Sequence, residues 1–496
     1  MAFFVGLPAH PQDFYERGVE PLLDYLRNTA RVNAVIIAAR TFEGEYGYQD
    51  HEQYFTGTTL RSRPSPLMKK GFDILQEITG RAHERGMQVY SHFLSYDFVI
   101  SAGSVGDRPV LDENGFEAYP NATLPNLSHV LEIDQFGRRG TRPCLHNPDY
   151  RQYHLSVVED QLRSYPIDGI NFNIERYGPL SNVLTGNGSS VHGRRPLPAT
   201  CFCPYCQEQA RGRGIRADRA RQGFLELLEF SERSWQAALK AGDPLAIPGT
   251  PLGDNRDCSA PPDGYFVEFI RILNRYPEIL AWNQMWHDNL HSLQKEMYGV
   301  VKAVSPSRKL GFHVWHPRDY SPMERAMYDM REMRRYCDWI KPKMDHTCGG
   351  YRYYMNVRRI HQALFYDRSL SQAAGMMNAI FNWDIGELER LPEDGLGLDY
   401  LQKDTKAYIA DVRGEVPIYP GIGIDMPAGP KDHIYRPCEP EYVREGLLTI
   451  AKAGAQGTVL SRGLGEMQHK NLVAAGEAID EINRTFPELS RQEAKG

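Results

Sequence analysis

The hydrophobic positions of this chain fall into eight short runs that recur along its length. Most runs are rich in β-branched or aromatic residues and apolar nearly throughout, as parallel strands buried on both faces must be. The predicted strands are Phe3–Ala9, Ala34–Arg40, Gln88–Ser95, Gly169–Glu175, Leu310–Trp315, Trp339–Met344, Pro417–Ile424 and Gly457–Leu460.

Helical patterns separate these runs. Met297, Val300, Val301 and Val304 keep the spacing of a helix face up to Ser305-Pro306, where proline ends the pattern. Repeated strand–helix alternation predicts an α/β fold, a closed parallel (β/α)8 barrel. A doubly wound open sheet is the rival fold, but no Gly-x-Gly-x-x-Gly follows an early strand.

Three long connections follow carboxyl ends of predicted strands, namely 41–70, 96–143 and 176–265. They are rich in Gly, Pro and Asn, and we expect them to form loops on the active-site face of the barrel. We predict one barrel domain over residues 1–486, with 176–265 as an inserted zinc-binding region, and a polar tail over 487–496.

Composition excludes several classes of protein. A net charge of −6 argues against a nucleic-acid-binding face. No stretch approaches the roughly 20 apolar residues that span a bilayer. The first residues, Met1–Pro8, resemble a strand rather than a signal peptide, and the cysteines are expected to be reduced, so a cytoplasmic location is expected. A homo-oligomer is compatible with this composition.

Polar and ionisable residues stand at the ends of these otherwise apolar strands. In a barrel such ends converge on one mouth, and burial of unpaired charge there costs several kcal/mol. A polar substrate, a carbohydrate, best explains the pattern. Besides two carboxylates discussed next, the residues expected to contact it are Arg40, His92, Asn173, His313, Trp315, Asp345, His346 and Tyr351.

Glu175 is the first candidate for chemistry. Strand alternation places it on one side with Asn171 and Asn173. A carboxyl group held among apolar neighbours has a raised pKa and serves as a general acid. The alternative is that Glu175 pairs with Arg176 or Arg40 at the rim.

Asp425 is the second candidate carboxylate, at the end of the seventh predicted strand. Its alternative role is a turn residue or helix cap before Pro427. If it caps a helix, Asp345 becomes the next carboxylate to consider.

A cysteine cluster is the most specific local motif. Cys201-Phe202-Cys203-Pro204-Tyr205-Cys206 offers three thiolates in a spacing that suits tetrahedral zinc, with one ligand missing. Such a metal is expected to be structural and to hold the long region after the fourth strand. The alternative is three reduced cysteines with no ligand.

These motifs resemble the zinc-bearing β-galactosidases of glycoside hydrolase family 42. The resemblance covers roughly residues 142–206, from Arg142-Pro143-Cys144 through the strand ending in Glu175 to the cysteine motif. It implies Cys144 as the fourth ligand of one structural zinc and Glu175 as the acid/base residue. The wider clan of retaining barrel glycosidases also has an arginine after strand two, which Arg40 matches.

The chain also departs from that clan. Ile174 separates Asn173 from Glu175 where the clan has adjacent Asn-Glu, and strand seven offers Asp425 where the clan has a glutamate nucleophile. Ser461-Arg462 stands where a tryptophan is often found. The chain is therefore expected to be a divergent relative.

The favoured function is a glycoside hydrolase in which Glu175 is the acid and Asp425 the nucleophile or base. The shorter aspartate favours a wider gap between the carboxyl groups and hence inversion. One alternative is a metal-dependent sugar isomerase or lyase whose cation is held by His92, His313, Asp345, His346 and Glu175. Another is a non-catalytic barrel that binds glycans through Trp315 and the Tyr351–Tyr354 segment.

Overall fold

The structure is a computed structural model that describes residues 2–37, 67, 70–94, 110–111, 117–118, 130–173, 176–185, 199–240, 260–315, 320–425 and 438–490. Its centre is a barrel of eight parallel strands. The strands are β1 (Phe4–Ala9), β2 (Ala34–Ile37), β3 (Gln88–Leu94), β4 (Gly169–Asn173), β5 (Lys309–Val314), β6 (Trp339–Pro342), β7 (Gly421–Gly423) and β8 (Gly457–Ser461).

The strands pair in the order β6-β5-β4-β3-β2-β1-β8-β7. Parallel bridges from Ile340 to Ile418 and from Lys343 to Gly421 join the two ends of this order and close the barrel. Each of the eight predicted runs overlaps one of these strands, so the predicted (β/α)8 fold is confirmed. The run Pro417–Ile424 is a strand only over Gly421–Gly423, because its two prolines lack the N–H that a sheet requires.

Helices cover the outside of the barrel. Those of seven residues or more are Pro11–Arg17, Val19–Ala30, Ile74–Glu84, Pro148–Ser164, Pro179–Thr185, Pro204–Gly212, Ala217–Lys240, Tyr265–Arg275, Glu278–Val304, His346–Leu364, Leu370–Phe381, Gly397–Asp411, Pro440–Lys452 and His469–Thr485. Shorter helical segments are Pro322–Met327, Met330–Met333, Leu388–Arg390, Leu391–Asp394, Leu464–Glu466 and Pro487–Ser490. No helix among the described residues is long and apolar enough to cross a membrane.

The expectation that 176–265 is a loop is wrong for much of that region. Its described part contains the helices Pro179–Thr185, Pro204–Gly212 and Ala217–Lys240. Ala220, Phe224 and Leu227 belong to a buried stripe on the helix Ala217–Lys240. The Gly and Pro residues that flank this helix made its periodic pattern hard to recognise in the sequence. Residues 96–143 likewise contain a hairpin of Leu131–Ile133 and Arg139–Pro143, and a two-residue ladder of Val110–Leu111 with Glu117–Ala118.

Aromatic side chains fill the amino-terminal half of the barrel interior. Phe4 stacks on Tyr419 with ring centroids 4.1 Å apart, and Tyr90 and Trp339 pack beside them. The Trp339 indole lies so close to Gly311 that a β-carbon there would be 2.0 Å from it. Glycine at 311 is therefore required for this packing.

Candidate active site and metal centre

Above the aromatic layer the barrel interior becomes polar. Along β3, β4 and β5, alternate side chains point into the barrel. Those of His92, Asn171 and His313 lie directly above the aromatic layer. Nδ1 of His92 lies 3.0 Å from Oδ1 of Asn171, and the His92 and His313 rings are 6.5 Å apart between centroids. Asn171 and His313 are buried, so this polar layer is built into the barrel rather than scattered at its rim.

Two lysines on β6 and its extension complete this layer, and the sequence analysis missed both. Lys341 and Lys343 are 4% and 6% exposed. A β-carbon at Gly421 would lie 2.9 Å from Cε of Lys341 and 3.2 Å from Oγ of Ser461, so glycine leaves room for both polar side chains. The available signal was the alternation of Lys with apolar residues in Trp339-Ile340-Lys341-Pro342-Lys343.

Asp345 continues the same alternation and is completely buried. Its Oδ2 lies 3.9 Å from Nζ of Lys343 and 3.9 Å from Nη1 of Arg352. The carboxylate is thus held between two cations at the carboxyl end of β6. The neighbouring His346 is placed elsewhere: its ring packs against Gly446 on the helix Pro440–Lys452 and is separate from the polar layer.

Asp425 follows β7 and binds the start of the last long helix. Its Oδ2 accepts the backbone N–H of Gln468 at 2.8 Å, and its Oδ1 accepts Nε2 of the same residue at 3.0 Å. Nδ2 of Asn471 lies 2.9 and 3.0 Å from the two carboxylate oxygens. Burial raises the pKa of Asp425, while these hydrogen bonds oppose the shift. Asp425 therefore holds the start of the helix His469–Thr485, which is not the cap or turn before Pro427 that the sequence offered, and residues 426–437 lie outside the described residues.

The other predicted site residues differ in how far the structure describes them. Glu175 and Arg40 lie outside the described residues. Asn173 ends β4 in register with His313 on β5. Trp315 is half-buried and meets Tyr177 edge to face, with centroids 5.4 Å apart.

Tyr351 lies six residues beyond Asp345, nearly two helical turns into the helix His346–Leu364. It is half-buried and packs against Cys348. Burial raises the pKa of its hydroxyl. The Tyr351 side chain is therefore only partly accessible to a ligand.

The segment that follows Glu175 is anchored by a buried polar network. The backbone N–H of Gly178 donates to Oε1 of Glu324 at 3.0 Å, and Oδ1 of Asn283 accepts the N–H of Leu180 at 3.1 Å. Nε2 of His287 lies 3.8 Å from Oε2 of Glu324. A β-carbon at Gly178 would be 2.4 Å from Nε2 of His287, so only glycine allows this approach.

Burial sets the protonation of the central pair in that network. Desolvation raises the pKa of Glu324 to about 7, against hydrogen bonds from Ser181 and Gly178 that lower it. Desolvation also lowers the pKa of His287 to about 3. Both groups are therefore held neutral in mildly acidic solution.

The four predicted metal-binding cysteines form one buried cluster, with all four sulfurs within 4.8 Å of one another. Sγ of Cys144 lies 3.4 Å from Sγ of Cys206 and 3.7 Å from Sγ of Cys203. Four sulfurs around one tetrahedral ion, each ~2.3 Å from it, lie about 3.8 Å from one another. The fourth member, Cys201, accepts backbone N–H groups of Ile133 and Cys203 at 3.4 Å, as a thiolate ligand does. The cluster can therefore hold a metal ion.

The electrostatics of the cluster favour thiolate formation at one position. Hydrogen bonds from Cys144, Cys201 and Cys206 lower the pKa of Cys203. Burial raises the pKa of Cys201. A cation that binds all four sulfurs removes the remaining protons, so metal binding releases protons here.

The other cysteines are separate from this cluster. Cys337, Cys348 and Cys438 are buried free thiols, as predicted, and Cys258 lies outside the described residues. In the part of the chain that the structure describes, the four cysteines are the only group of three or more His, Cys, Asp or Glu residues close enough to hold a metal.

The cluster is fixed to the barrel through a hairpin and a long helix. The N–H of Cys144 donates to the carbonyl of Val130 at 2.8 Å, and the N–H of Phe202 donates to the carbonyl of Ile133 at 2.7 Å. Phe202 stacks on Trp282 of the helix Glu278–Val304, with centroids 4.4 Å apart. The hairpin Leu131–Pro143 and the Cys201–Cys206 segment are thereby joined on one side of the barrel.

No family model and no curated protein sequence matches this chain. Three solved structures are similar to it. A β-galactosidase from the psychrophilic Marinomonas ef1 has 11% identity and a TM-score of 0.51 over 97% of this chain and 59% of that chain. A cold-adapted β-galactosidase from Rahnella sp. R3 has 14% identity and a TM-score of 0.47 over 98% and 56%. An α-L-fucosidase isoenzyme 2 from Paenibacillus thiaminolyticus has 13% identity and a TM-score of 0.44 over 99% and 51%.

This chain therefore spans between half and three fifths of the length of these three proteins. The similarity to the Marinomonas structure agrees with the barrel described above. At this identity the comparison concerns the fold, and the chain is a (β/α)8 barrel.

Proposed function

We propose that this protein is a glycoside hydrolase whose substrate binds at the carboxyl end of the barrel. The observation that carries the proposal is a polar layer in the barrel interior, directly above the aromatic layer. It consists of His92, Asn171, His313 and Lys341. Polar side chains at the carboxyl ends of barrel strands face the side on which barrel enzymes bind their substrates, and they can exchange hydrogen bonds with a polar ligand. A sugar, with hydroxyl groups on every side, supplies the matching partners.

Glu175 is the proposed general acid. It follows β4 by two residues, the strand that carries Asn171 into the polar layer. The proposal is supported by the anchoring of the next segment through Glu324 and Asn283, since a catalytic group needs a fixed backbone. The resemblance to family 42 points to the same residue.

Asp345 is the proposed second carboxylate, in place of Asp425. The Asp425 oxygens are engaged with Gln468 and Asn471 at the start of a helix. Asp345 instead continues the strand alternation that carries Lys341 and Lys343. Its neighbours Lys343 and Arg352 each place a cationic nitrogen 3.9 Å from the carboxylate and so stabilise a negative charge there.

The remaining predicted contacts are retained as proposals for substrate binding. All but Tyr351 stand in or directly after predicted strands, and Tyr351 lies on the helix that follows β6; Lys341 is added from the structure. We propose that Arg40, His92, Asn173, His313, Trp315, Tyr351 and Lys341 contact the sugar.

We propose zinc as the ion of the cysteine cluster, with a structural role. Four thiolate ligands are the preferred donor set of structural zinc sites, and they leave no open position for substrate or water. The buried position of all four cysteines supports this role. The metal would then fix the hairpin and the region after β4 rather than take part in bond cleavage.

The test is hydrolysis of a panel of aryl glycosides and oligosaccharides, in which the release of reducing sugar is measured. Wild-type protein is expected to hydrolyse at least one member and to keep its rate after brief EDTA treatment, because the proposed chemistry uses no exchangeable cation. No hydrolysis, but conversion of a sugar into an isomer or an elimination product that EDTA abolishes at once, would instead support the isomerase or lyase. Sugar binding without turnover of any member would support the glycan-binding barrel.

A further inference from the structure

Arg176 directly follows Glu175 in the sequence, and only 1% of it is exposed. Its Nη2 donates to the carbonyl oxygen of Pro143 at 2.7 Å, and its Nη1 lies 3.8 Å from Oε1 of Glu132. Nε1 of Trp286 donates to the same Glu132 oxygen at 3.4 Å. A buried charge is costly unless its partners stay in place. Arg176 therefore fixes the chain beside Glu175 only while these acceptors hold their positions.

Both acceptors belong to the hairpin that carries the cysteine cluster. Pro143 is bonded to Cys144, so one peptide unit is held by the arginine on its carbonyl side and by a cluster ligand on the other. Glu132 precedes Ile133, whose N–H donates to Sγ of Cys201 at 3.4 Å. Each contact of the arginine is thus one residue away from a residue that the cluster holds.

We propose that Arg176 is a positioning residue that couples metal occupancy of the four-cysteine cluster to the placement of Glu175. A bound ion holds the four sulfurs together and fixes the hairpin, which keeps both acceptors of Arg176 in place. Loss of the ion releases the hairpin, and the chain beside Glu175 moves with Arg176. The role of Glu175 rests on the proposed function, whereas the coupling is a property of the fold.

The first test uses metal release at equilibrium and needs no enzyme activity. Coupling between two sites is reciprocal in affinity, so weakening the arginine contacts must weaken zinc binding. In equilibrium competition with a chromophoric chelator, Arg176→Met is expected to bind zinc about 5- to 150-fold more weakly than wild type, the ordinary range of coupling between sites. Arg176→Lys, which keeps the charge, is expected to fall between the two. Wild-type zinc affinity in both variants would overturn the proposal.

The second test follows hydrogen–deuterium exchange of residues 176–185 in wild-type protein with and without zinc. The proposal predicts faster exchange in this segment after zinc removal. Unchanged exchange would overturn it, and this measurement uses wild-type protein, so it is informative even where a variant fails to fold.

The matched control is Arg151→Met. Arg151 donates to the carbonyl of Leu145 at 2.9 Å, also next to Cys144, but does not adjoin Glu175. Exchange of 176–185 is expected to stay at the wild-type value in this control.

Turnover separates this inference from the proposed function. Where wild type hydrolyses a glycoside, Arg176→Met is expected to lower kcat more than it raises KM, and Arg151→Met to leave both unchanged. Where wild type hydrolyses nothing, the proposed function fails, but zinc affinity and exchange still decide the coupling. A loss of kcat in Arg176→Met with normal zinc affinity and exchange would contradict the coupling alone.

Discussion

Replacing Glu324 by glutamine should make the protein less sensitive to rising pH. Glu324 is 1% exposed and accepts the N–H of Gly178, an interaction that the glutamine oxygen can also make. Burial raises the pKa of the carboxyl to about 7 from its ordinary value of 4.5. Below pH 4.5 the folded and unfolded chains both hold the proton, and ionisation of this group does not change stability.

Between pH 4.5 and about 7 the unfolded chain loses this proton while the folded chain keeps it. Stability of the wild type must fall with rising pH in this window, and the loss is complete above pH 7. The folded and unfolded pKa values of Glu324 differ by about 2.5, and each pH unit between them corresponds to ~1.36 kcal/mol. The free energy of unfolding of the wild type therefore falls by about 3 kcal/mol across this window. Glutamine does not ionise, so the variant escapes this loss.

The expected change in Tm follows from the size of the chain. An unfolding entropy of about 2.1 cal/mol/K per residue, over 496 residues, gives about 1 kcal/mol/K, so ~3 kcal/mol corresponds to about 3 °C. The Tm of Glu324→Gln minus that of wild type should therefore rise by about 3 °C from pH 4.5 to 7.5. Burial lowers the pKa of His287 to about 3, so this residue makes the folded protein less stable as pH falls below 6.5. This effect is the same in wild type and Glu324→Gln and cancels in the difference between them.

The assay is differential scanning calorimetry of both proteins across this range, with Glu84→Gln as the control. Glu84 is an exposed residue at the end of the helix Ile74–Glu84, and its substitution should give a difference in Tm that does not change with pH. A flat difference for Glu324→Gln would refute the reasoning. A difference that falls with pH would show instead an ionised Glu324 paired with protonated His287.

Three further outcomes are expected. Cys206→Ser should lose the bound metal, seen as loss of zinc by elemental analysis, and should lower Tm because metal binding contributes to folding; retained zinc would remove Cys206 from the ligand set. Gly421→Ala should leave Tm nearly unchanged but lower kcat/KM by up to about 10²-fold, because the new methyl group displaces the flexible end of Lys341; normal kcat/KM would exclude Lys341 from substrate binding. NMR of the fresh product should show an inverted anomeric centre, since the proposed second carboxylate is an aspartate; retention would contradict the wider gap.

The barrel could be predicted because most of its strands are buried on both faces and so are apolar nearly throughout. The helices in 176–265 were missed because glycine and proline at their flanks dominate the composition of that region. The cysteine cluster was predicted from the spacing of three residues, and Cys144 came only from the family resemblance.

The polar contacts of the site were harder to predict because their partners are distant in sequence. Asp425 is bound by Gln468 and Asn471, and no local pattern indicates that contact. Glu324 and His287 come from different helices and meet beside Gly178. Such contacts depend on how helices pack, which hydrophobic periodicity does not specify.

The central claim, that Glu175 donates a proton in glycoside hydrolysis at the barrel mouth, is tested most directly by the dependence of rate on the leaving group. The measurement compares kcat of wild type, Glu175→Gln and the control Glu84→Gln on glycosides with poor and good leaving groups. We predict that Glu175→Gln lowers kcat at least about 10²-fold on poor leaving groups. On a dinitrophenyl glycoside, whose leaving group needs no proton, the loss should be far smaller, and Glu84→Gln should match wild type throughout. Equal rates for Glu175→Gln and wild type on the poor leaving groups would contradict the account.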